Sequence, residues 1–166
     1  VKDSGVKTFI IHARKGILKG LSPRQNRNIP PLNYQKVYSI KDDFPDLEII
    51  INGGIKNISE AKNHLNFVDG VMLGRAAYDD PFMLSDIDSE IYSNTKVEIS
   101  RKDLLTEYLD YVHVMTKKGY DPKIMLKHVF GLKKGEKDAK RFRVKVAEIM
   151  NSSSLVKNKD ELLSMV

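Results

Sequence analysis

The chain has 166 residues, of which 41% are hydrophobic and 30% charged, enough for one core of ordinary size or a small domain with an appendage; a fibre and a disordered tail are excluded. It contains no cysteine, which removes disulfides, thiolate zinc sites and a cysteine nucleophile, and its apolar runs, such as Ile49 to Ile51 and Val71 to Leu73, fall far short of the roughly 20 residues that cross a bilayer. Lys/Arg and Asp/Glu balance at 12 each in residues 1–95, whereas 16 basic residues meet 10 acidic ones in residues 96–166, so the whole net charge of +6 belongs to the later part.

The reading is therefore a soluble protein with no membrane partner, cytoplasmic or in an organelle. The opening Val1-Lys2-Asp3-Ser4-Gly5 has neither an initiator Met nor a charged-then-apolar leader, and reads as a chain that begins mid-protein.

In chain order, three apolar runs read as buried parallel strands: Thr8 to Ile11, Leu47 to Ile51 and Gly70 to Leu73, rich in β-branched or large residues and without strict alternation. Between the first two come a loop marked by Pro23, Pro30 and Pro31 and a helix from about Tyr34 to Phe44, with Val37, Ile40 and Phe44 at helical spacing. Between the last two, Ser59 is the expected cap of a helix carrying Ala61 and Leu65, and another helix should open near Arg75. This β-α-β-α-β order predicts an α/β sheet, doubly wound or the wall of a (β/α)8 barrel.

From Ser100 the pattern is helical throughout. Ser100 and Asp103 form a capping-box signal, followed by a stripe of Leu104, Tyr108, Tyr111, Val112 and Met115 that ends before Gly119. A helix from Pro122 to Gly135 should carry Ile124, Met125, His128, Val129 and Leu132, and the next one Ala139, Phe142, Val146, Ile149 and Met150. Asn151 to Ser154 break the pattern, and a short helix from about Lys159 to Met165 closes it. The expected organisation is α/β plus all-α, with a barrel part over residues 1–95 and a small helical bundle over 96–166. Three strands cannot close a barrel of eight, which takes about 250 residues, so the first part reads as the carboxyl-terminal strands and helices of a TIM barrel.

Two glycine motifs stand where strands end: Asn52-Gly53-Gly54 and Gly74-Arg75. Glycines there let backbone N–H groups approach an anion, and in (β/α)8 barrels the loops after the last two strands form the recurrent phosphate site, where Arg75 could hold a phosphate bidentately. His12 ends the first strand on the same rim, where an imidazole could donate to a cofactor ring. His64, His113 and His128 have no metal-ligand partner at i+3 or i+4, so no metal is expected. The run Lys133 to Lys145 holds seven basic residues against Glu136 and Asp138; it reads equally as a polyanion-binding face or a solvated helix face.

His12-Ala13-Arg14-Lys15, Lys19-Gly20-Leu21-Ser22-Pro23, Asn26-Arg27, Ile29 to Tyr34, Asn52 to Ile55, Asp69 to Tyr78 and His128 to Leu132 together closely resemble the tRNA-dihydrouridine synthase family, in particular its A-type subfamily. The resemblance runs in continuous order from about Gly5 to Lys145. It implies a flavoenzyme that reduces a uridine of the tRNA D-loop region to 5,6-dihydrouridine with FMN, NADPH being the reductant, and that is a monomer at full length. By likeness His12 would contact the flavin, and Asn52, Gly53, Gly54, Gly74 and Arg75 would hold its phosphate. Arg24, Arg27, Lys140 and Arg143 align with residues that touch tRNA. Two departures are Gly16-Ile17, where the subfamily carries a small residue and Trp, and the segment Asp138 to Arg143, which replaces a Gly-Ala-Arg-type pattern. The family's proton-donating cysteine belongs to the first half of the barrel, so this chain alone should have no catalytic residue and be inactive. Competing readings are a free-standing RNA-binding protein with a degenerate barrel remnant and an unrelated phosphate-binding α/β protein.

Overall fold

In the computed structural model, residues 5–151 and 159–166 are described, so the predicted break at Ser152 to Ser154 lies outside the described residues. The chain divides into two compact units, residues 1–76 and 77–166.

In the first unit, β1 (Thr8–His12), β2 (Glu48–Asn52) and β3 (Gly70–Met72) form a parallel sheet in the order β1-β2-β3. Its register pairs Ile10 with Ile50 and Ile50 with Gly70. Side chains alternate between faces along a strand. Phe9, Ile11, Ile49, Ile51 and Val71 therefore share the face that packs with Val37 and Ala61 in one core, together with Ile55 and Val68. Val37 comes from α2 (Tyr34–Asp43) and Ala61 from α3 (Ile58–Leu65). The opposite face carries Ile10, Ile50, His12, Asn52 and Met72, and there Ile10 is 60% exposed. The strands are apolar on both faces, as expected, but only one face is covered among the described residues.

Local signals explain the helices. Asn33 caps α2 by accepting from the Lys36 amide at 3.0 Å. The cap of α3 is Asn57, not Ser59: its side chain accepts from the Glu60 amide at 2.8 Å, while the Glu60 carboxylate accepts from the Lys56 amide at 2.8 Å. This reciprocal pair satisfies orphan amides that a cap two residues later would leave open. The sheet is also tied from below by Asp69, which accepts from the Ile49 amide and pairs with Lys41, each at 2.8 Å. These donors hold the Asp69 carboxyl below the usual range, the Ile49 amide foremost.

The second unit follows α4 (Arg75–Asp79), which spans the division, with a 3-10 segment (Pro81–Asp86) and α5 (Ile87–Glu90). Then come α6 (Arg101–Lys117), α7 (Pro122–Leu126), a 3-10 turn (Lys127–Val129), α8 (Ala139–Asn151) and α9 (Lys159–Leu163). Their shared core is Leu105, Leu109, Leu126, Val129, Leu132, Phe142, Val146, Ile149 and Leu162. The capping box of Ser100 and Asp103 forms as expected. The buried stripe of α6, however, is Leu105, Leu109 and Val112, rotated from the predicted one: Tyr111 is 50% exposed, and Leu104 and Tyr108 are half-buried. Similarly Leu126, not Ile124, enters the core, and the helix expected to reach Gly135 breaks into α7, the 3-10 turn and further turns.

The division falls between residues 76 and 77, ahead of the composition shift near residue 95. The cause is packing. Phe82 lies against the helical core, the Arg101 guanidinium sits 3.9 Å over its ring, and Arg101 also donates to the Leu132 carbonyl at 2.9 Å and pairs with Glu136 at 3.1 Å. Charge balance changes where the sequence becomes basic, whereas the units divide where apolar side chains change partners.

Candidate functional site

The three strands end level. The register sets His12 beside Asn52 and Asn52 beside Met72, and the Asn52 side-chain amide lies 2.8 Å from the Met72 sulfur. All three project to the sheet face away from the helices, because they are two residues on from Ile10, Ile50 and Gly70.

The chain turns immediately after Asn52. Gly53 and Gly54 have φ of 119° and 75°, in the region that favours glycine. Neighbours reinforce that requirement: a Cβ on Gly53 would lie 3.0 Å from His12 Cε1, and one on Gly54 2.5 Å from Leu32 Cδ1. The Tyr34 hydroxyl donates to the Gly53 carbonyl at 2.8 Å. The Gly loop is thus clamped between the His12 ring and the segment from Leu32 to Tyr34. A Cβ on Gly74 would meet nothing within 4 Å, which leaves the backbone after β3 open to close approach.

The long connection after β1 is also built from specific bonds. Ala13 donates to the Asn52 carbonyl at 2.8 Å, and Asn33 donates to the Ala13 carbonyl at 2.7 Å. The Arg14 guanidinium donates to the Pro30 carbonyl, while its buried Nε has no hydrogen-bond partner among the described residues. Asn26 closes the loop by exchanging hydrogen bonds of 2.8 and 2.9 Å with the backbone of Ile17. Within it, Ser22 and Gln25 form a capping box at the start of α1 (Pro23–Asn26), which carries Arg24 and ends on Arg27. Arg75 reaches this loop, donating to Asn28 Oδ1 at 2.6 Å and to the Arg27 carbonyl at 3.5 Å.

The result is a cationic rim at the carboxyl ends of the strands. Burial lowers the His12 pKa below the ordinary 6.5, and Arg14, Arg75 and Arg27 push it further down. The imidazole is neutral at pH 7, able to donate from one nitrogen and accept at the other. The charges that act on it are all positive, so the donor set suits a multiply charged anion.

His12, Asn52, Gly53, Gly54 and Arg75 are brought into one neighbourhood with Arg27, and Gly74 stands two residues past the end of β3. Arg24 is exposed on α1, and Lys140 and Arg143 are exposed on α8 in the other unit. Of the seven cations from Lys133 to Lys145, two are engaged internally: Lys133 donates to the Met165 carbonyl, and Lys145 pairs with Glu161 at 2.7 Å and Glu148 at 3.5 Å. Lys134, Lys137, Lys140, Arg141 and Arg143 are exposed and have no ion-pair partner among the described residues. Arg14, Asn28 and Tyr34 also lie at this rim although the glycine and histidine signals did not single them out; Arg14 and Tyr34 fall in the segments that carry the family resemblance, whereas Asn28, between Arg27 and Ile29, had no sequence signal. His64 is a core histidine, 8% exposed, its Nδ1 2.6 Å from the Tyr38 hydroxyl. Among the described residues no group of three or more His, Cys, Asp or Glu could hold a metal, and no helix is long and apolar enough to cross a membrane.

Comparison with known proteins places the chain in a family. The family model described as dihydrouridine synthase matches residues 1–165. A tRNA-dihydrouridine(20/20a) synthase of Pseudomonas putida is 43% identical over 143 residues, covering 86% of this chain and 43% of the relative. The enzyme of the same name from Haemophilus ducreyi is 44% identical over 140 residues, 84% of this chain and 43% of the relative, and that of Synechocystis is 42% identical over 143 residues. The chain thus spans about 43% of the length of the curated relatives it matches. With a family match over nearly the whole chain and identities above 40% across most of it, this protein belongs to the dihydrouridine synthase family.

Proposed function

We propose that the chain is the carboxyl-terminal part of an FMN-dependent tRNA-dihydrouridine synthase of the A-type subfamily, which reduces a uridine in the tRNA D-loop region to 5,6-dihydrouridine with NADPH as reductant. The observation that carries this reading is the cationic rim itself: two glycines with positive φ after β2, an open glycine and Arg75 after β3, and His12 at the end of β1 beside Asn52. Free amides and a guanidinium suit a ribityl phosphate. The positive φ of Gly53 and Gly54 turns the chain sharply at the strand end, and nothing crowds Gly74 within 4 Å of a Cβ, so the residues present fit that group.

Each side chain then has a task. Arg75, steadied by Asn28, neutralises the phosphate; Gly53, Gly54 and Gly74 supply backbone donors and close approach; Asn52 and His12 meet the ring-bearing end from the sheet face they share. When bound, the flavin would supply hydride transfer between a nicotinamide and the uracil ring. The same sheet face supports a barrel: Ile10 and Ile50 are apolar residues that a closed (β/α)8 wall would bury on its inside. The family's proton-donating cysteine is not among these residues, since the chain has no cysteine, and by family likeness it belongs to the other half of the barrel. The second unit, a helical bundle in this reading, offers Lys140 and Arg143, with Arg24 and Arg27 from the first unit, as phosphate contacts to tRNA. The full-length protein is read as a cytoplasmic monomer.

Flavin retention in the full-length protein carrying Arg75→Ala is the test. A charge-assisted hydrogen bond contributes roughly 1.5–3 kcal/mol, so affinity should fall by about 10-fold or more. Unchanged retention would remove Arg75 and the two-loop phosphate site from the reading.

A further inference from the structure

The second unit holds a cleft of about 330 Å³ that the strand-end site does not use. It is lined by two aromatic rings, Tyr78 and Phe130, and three cations, Lys127, Lys134 and Arg143, with Asp79 as its one carboxylate and Gly131 between the segments that form it. A volume in the low part of the roughly 300–1,000 Å³ range of ligand sites suits a single small unit.

The cleft is built by packing. A Cβ on Gly131 would lie 2.5 Å from the Asp79 carbonyl oxygen and 2.9 Å from Pro81, so only glycine lets these segments approach. The Tyr78 ring meets the His128 ring edge-on, centroids 5.6 Å apart at 88°, yet Tyr78 remains 53% exposed. Phe130 packs on the helical core and is correspondingly fixed. None of the three cations has an ion-pair partner among the described residues. Aromatic surface beside three cations that outnumber the one carboxylate combines a platform for a base with donors for phosphates.

We infer that this cleft holds one unstacked nucleotide of an RNA strand, its base against Tyr78 and Phe130 and its flanking phosphates met by Lys127, Lys134 and Arg143. Asp79 is an acceptor for a base N–H or a ribose 2′-hydroxyl, a group that DNA lacks. The inference rests on the proposed RNA-binding role of this unit and adds to it a preference for single-stranded over duplex RNA, because a paired and stacked base cannot reach an aromatic side chain.

The test uses the full-length protein and two probes: an eight-nucleotide single-stranded RNA carrying 2-aminopurine, and a blunt RNA hairpin. Tyr78→Ala should weaken the single-stranded probe about 5- to 150-fold and abolish its fluorescence quenching, whereas Tyr78→Phe should retain both. Lys134→Ala and Arg143→Ala should each flatten the salt dependence by about one phosphate contact. Tyr78→Ala binding like the unaltered protein, or a hairpin bound as tightly as the single strand, would overturn the cleft while leaving RNA binding by this unit in place. Failure of the unaltered protein to bind either probe or tRNA would overturn both.

Discussion

The two units reach order by different routes. In the second, Phe142, Leu105, Leu109, Leu126, Val146 and Leu162 are almost completely inaccessible and bury one another. In the first, Val37 and Ala61 pack with Ile49 and Ile51 on one face of a sheet whose other face exposes Ile10 and whose β1 pairs only with β2 among the described residues. The helical unit draws its core from several helices at once, although Tyr111, Ile124 and Val144 stay half exposed or more. On the sheet unit's uncovered face stand the apolar Ile10 and Ile50 and, at the strand ends, His12, Asn52 and Met72, with Gly53 and Gly54 hemmed in by His12, Leu32 and Tyr34.

The largest effect should separate the two units directly. In the isolated chain, amides of α6 should exchange with solvent far more slowly than those of β2, because opening the helical core exposes many large side chains at once. Equal protection in both would erase the contrast. The same preparation, given FMN, NADPH and tRNA, should form no dihydrouridine; product detected by mass spectrometry would show that the proton donor does not have to come from elsewhere.

Phe142→Ala sharpens the comparison from the other side. Removing a fully buried aromatic ring costs about 3–5 kcal/mol, and urea unfolding followed by the tyrosines of the helical unit should shift accordingly. The faster-exchanging β2 amides should respond little.

At the strand ends, Gly54→Ala places a Cβ 2.5 Å from Leu32 at a φ of 75°. About 1–3 kcal/mol of strain is expected, with flavin affinity lost along with it. Leu32→Ala added to that variant should restore part of the stability by removing the contact but leave the φ penalty. Full restoration would show that sterics alone demand the glycine.

The smallest effect concerns pH. Burial lowers the pKa of His12 and of His64, aided at His12 by Arg14, Arg75 and Arg27 and opposed at His64 by Glu60. A lowered folded-state pKa means that the unfolded chain takes up the proton more readily. Stability contributed by the neutral rings is therefore present above pH 6.5 and lost as pH falls through the folded values. Both groups lie in the sheet unit, so its amides should lose protection on acidification from pH 7 to 5.5, and the loss should shrink in His64→Gln. An anion bound on the rim should raise the His12 pKa again, readable by NMR titration of the imidazole.

Legibility in the sequence followed the range of the interaction. The three strands, the Ser100 capping box and the core positions of α8 depend on runs and spacings within a few residues, and each stands where it was expected. The Asn57 cap was missed because Ser59 offers the same chemistry two residues on, and the choice turned on Glu60 reaching back to Lys56. The stripe of α6 was rotated because Leu104 and Tyr108 and the pair Leu105 and Leu109 are equally plausible on a helical wheel; only the position of α7, α8 and α9 selects between them.

By itself, then, the sequence determined the alternation of strands and helices, the positions of the glycines, the concentration of positive charge after residue 95 and membership of the family, since all of these are carried by residue type and order. Tertiary structure alone decided that Arg75 meets Asn28, that Arg14, Arg27 and Arg75 converge on His12, and that Tyr78 and Phe130 line one cleft with three cations. It also decided that Lys133 and Lys145 of the basic run are engaged internally while their neighbours are exposed. The reason is physical: charge and hydrogen bonding act across a few ångströms of space, and which residues lie within those few ångströms is settled only when separate segments pack their apolar faces together.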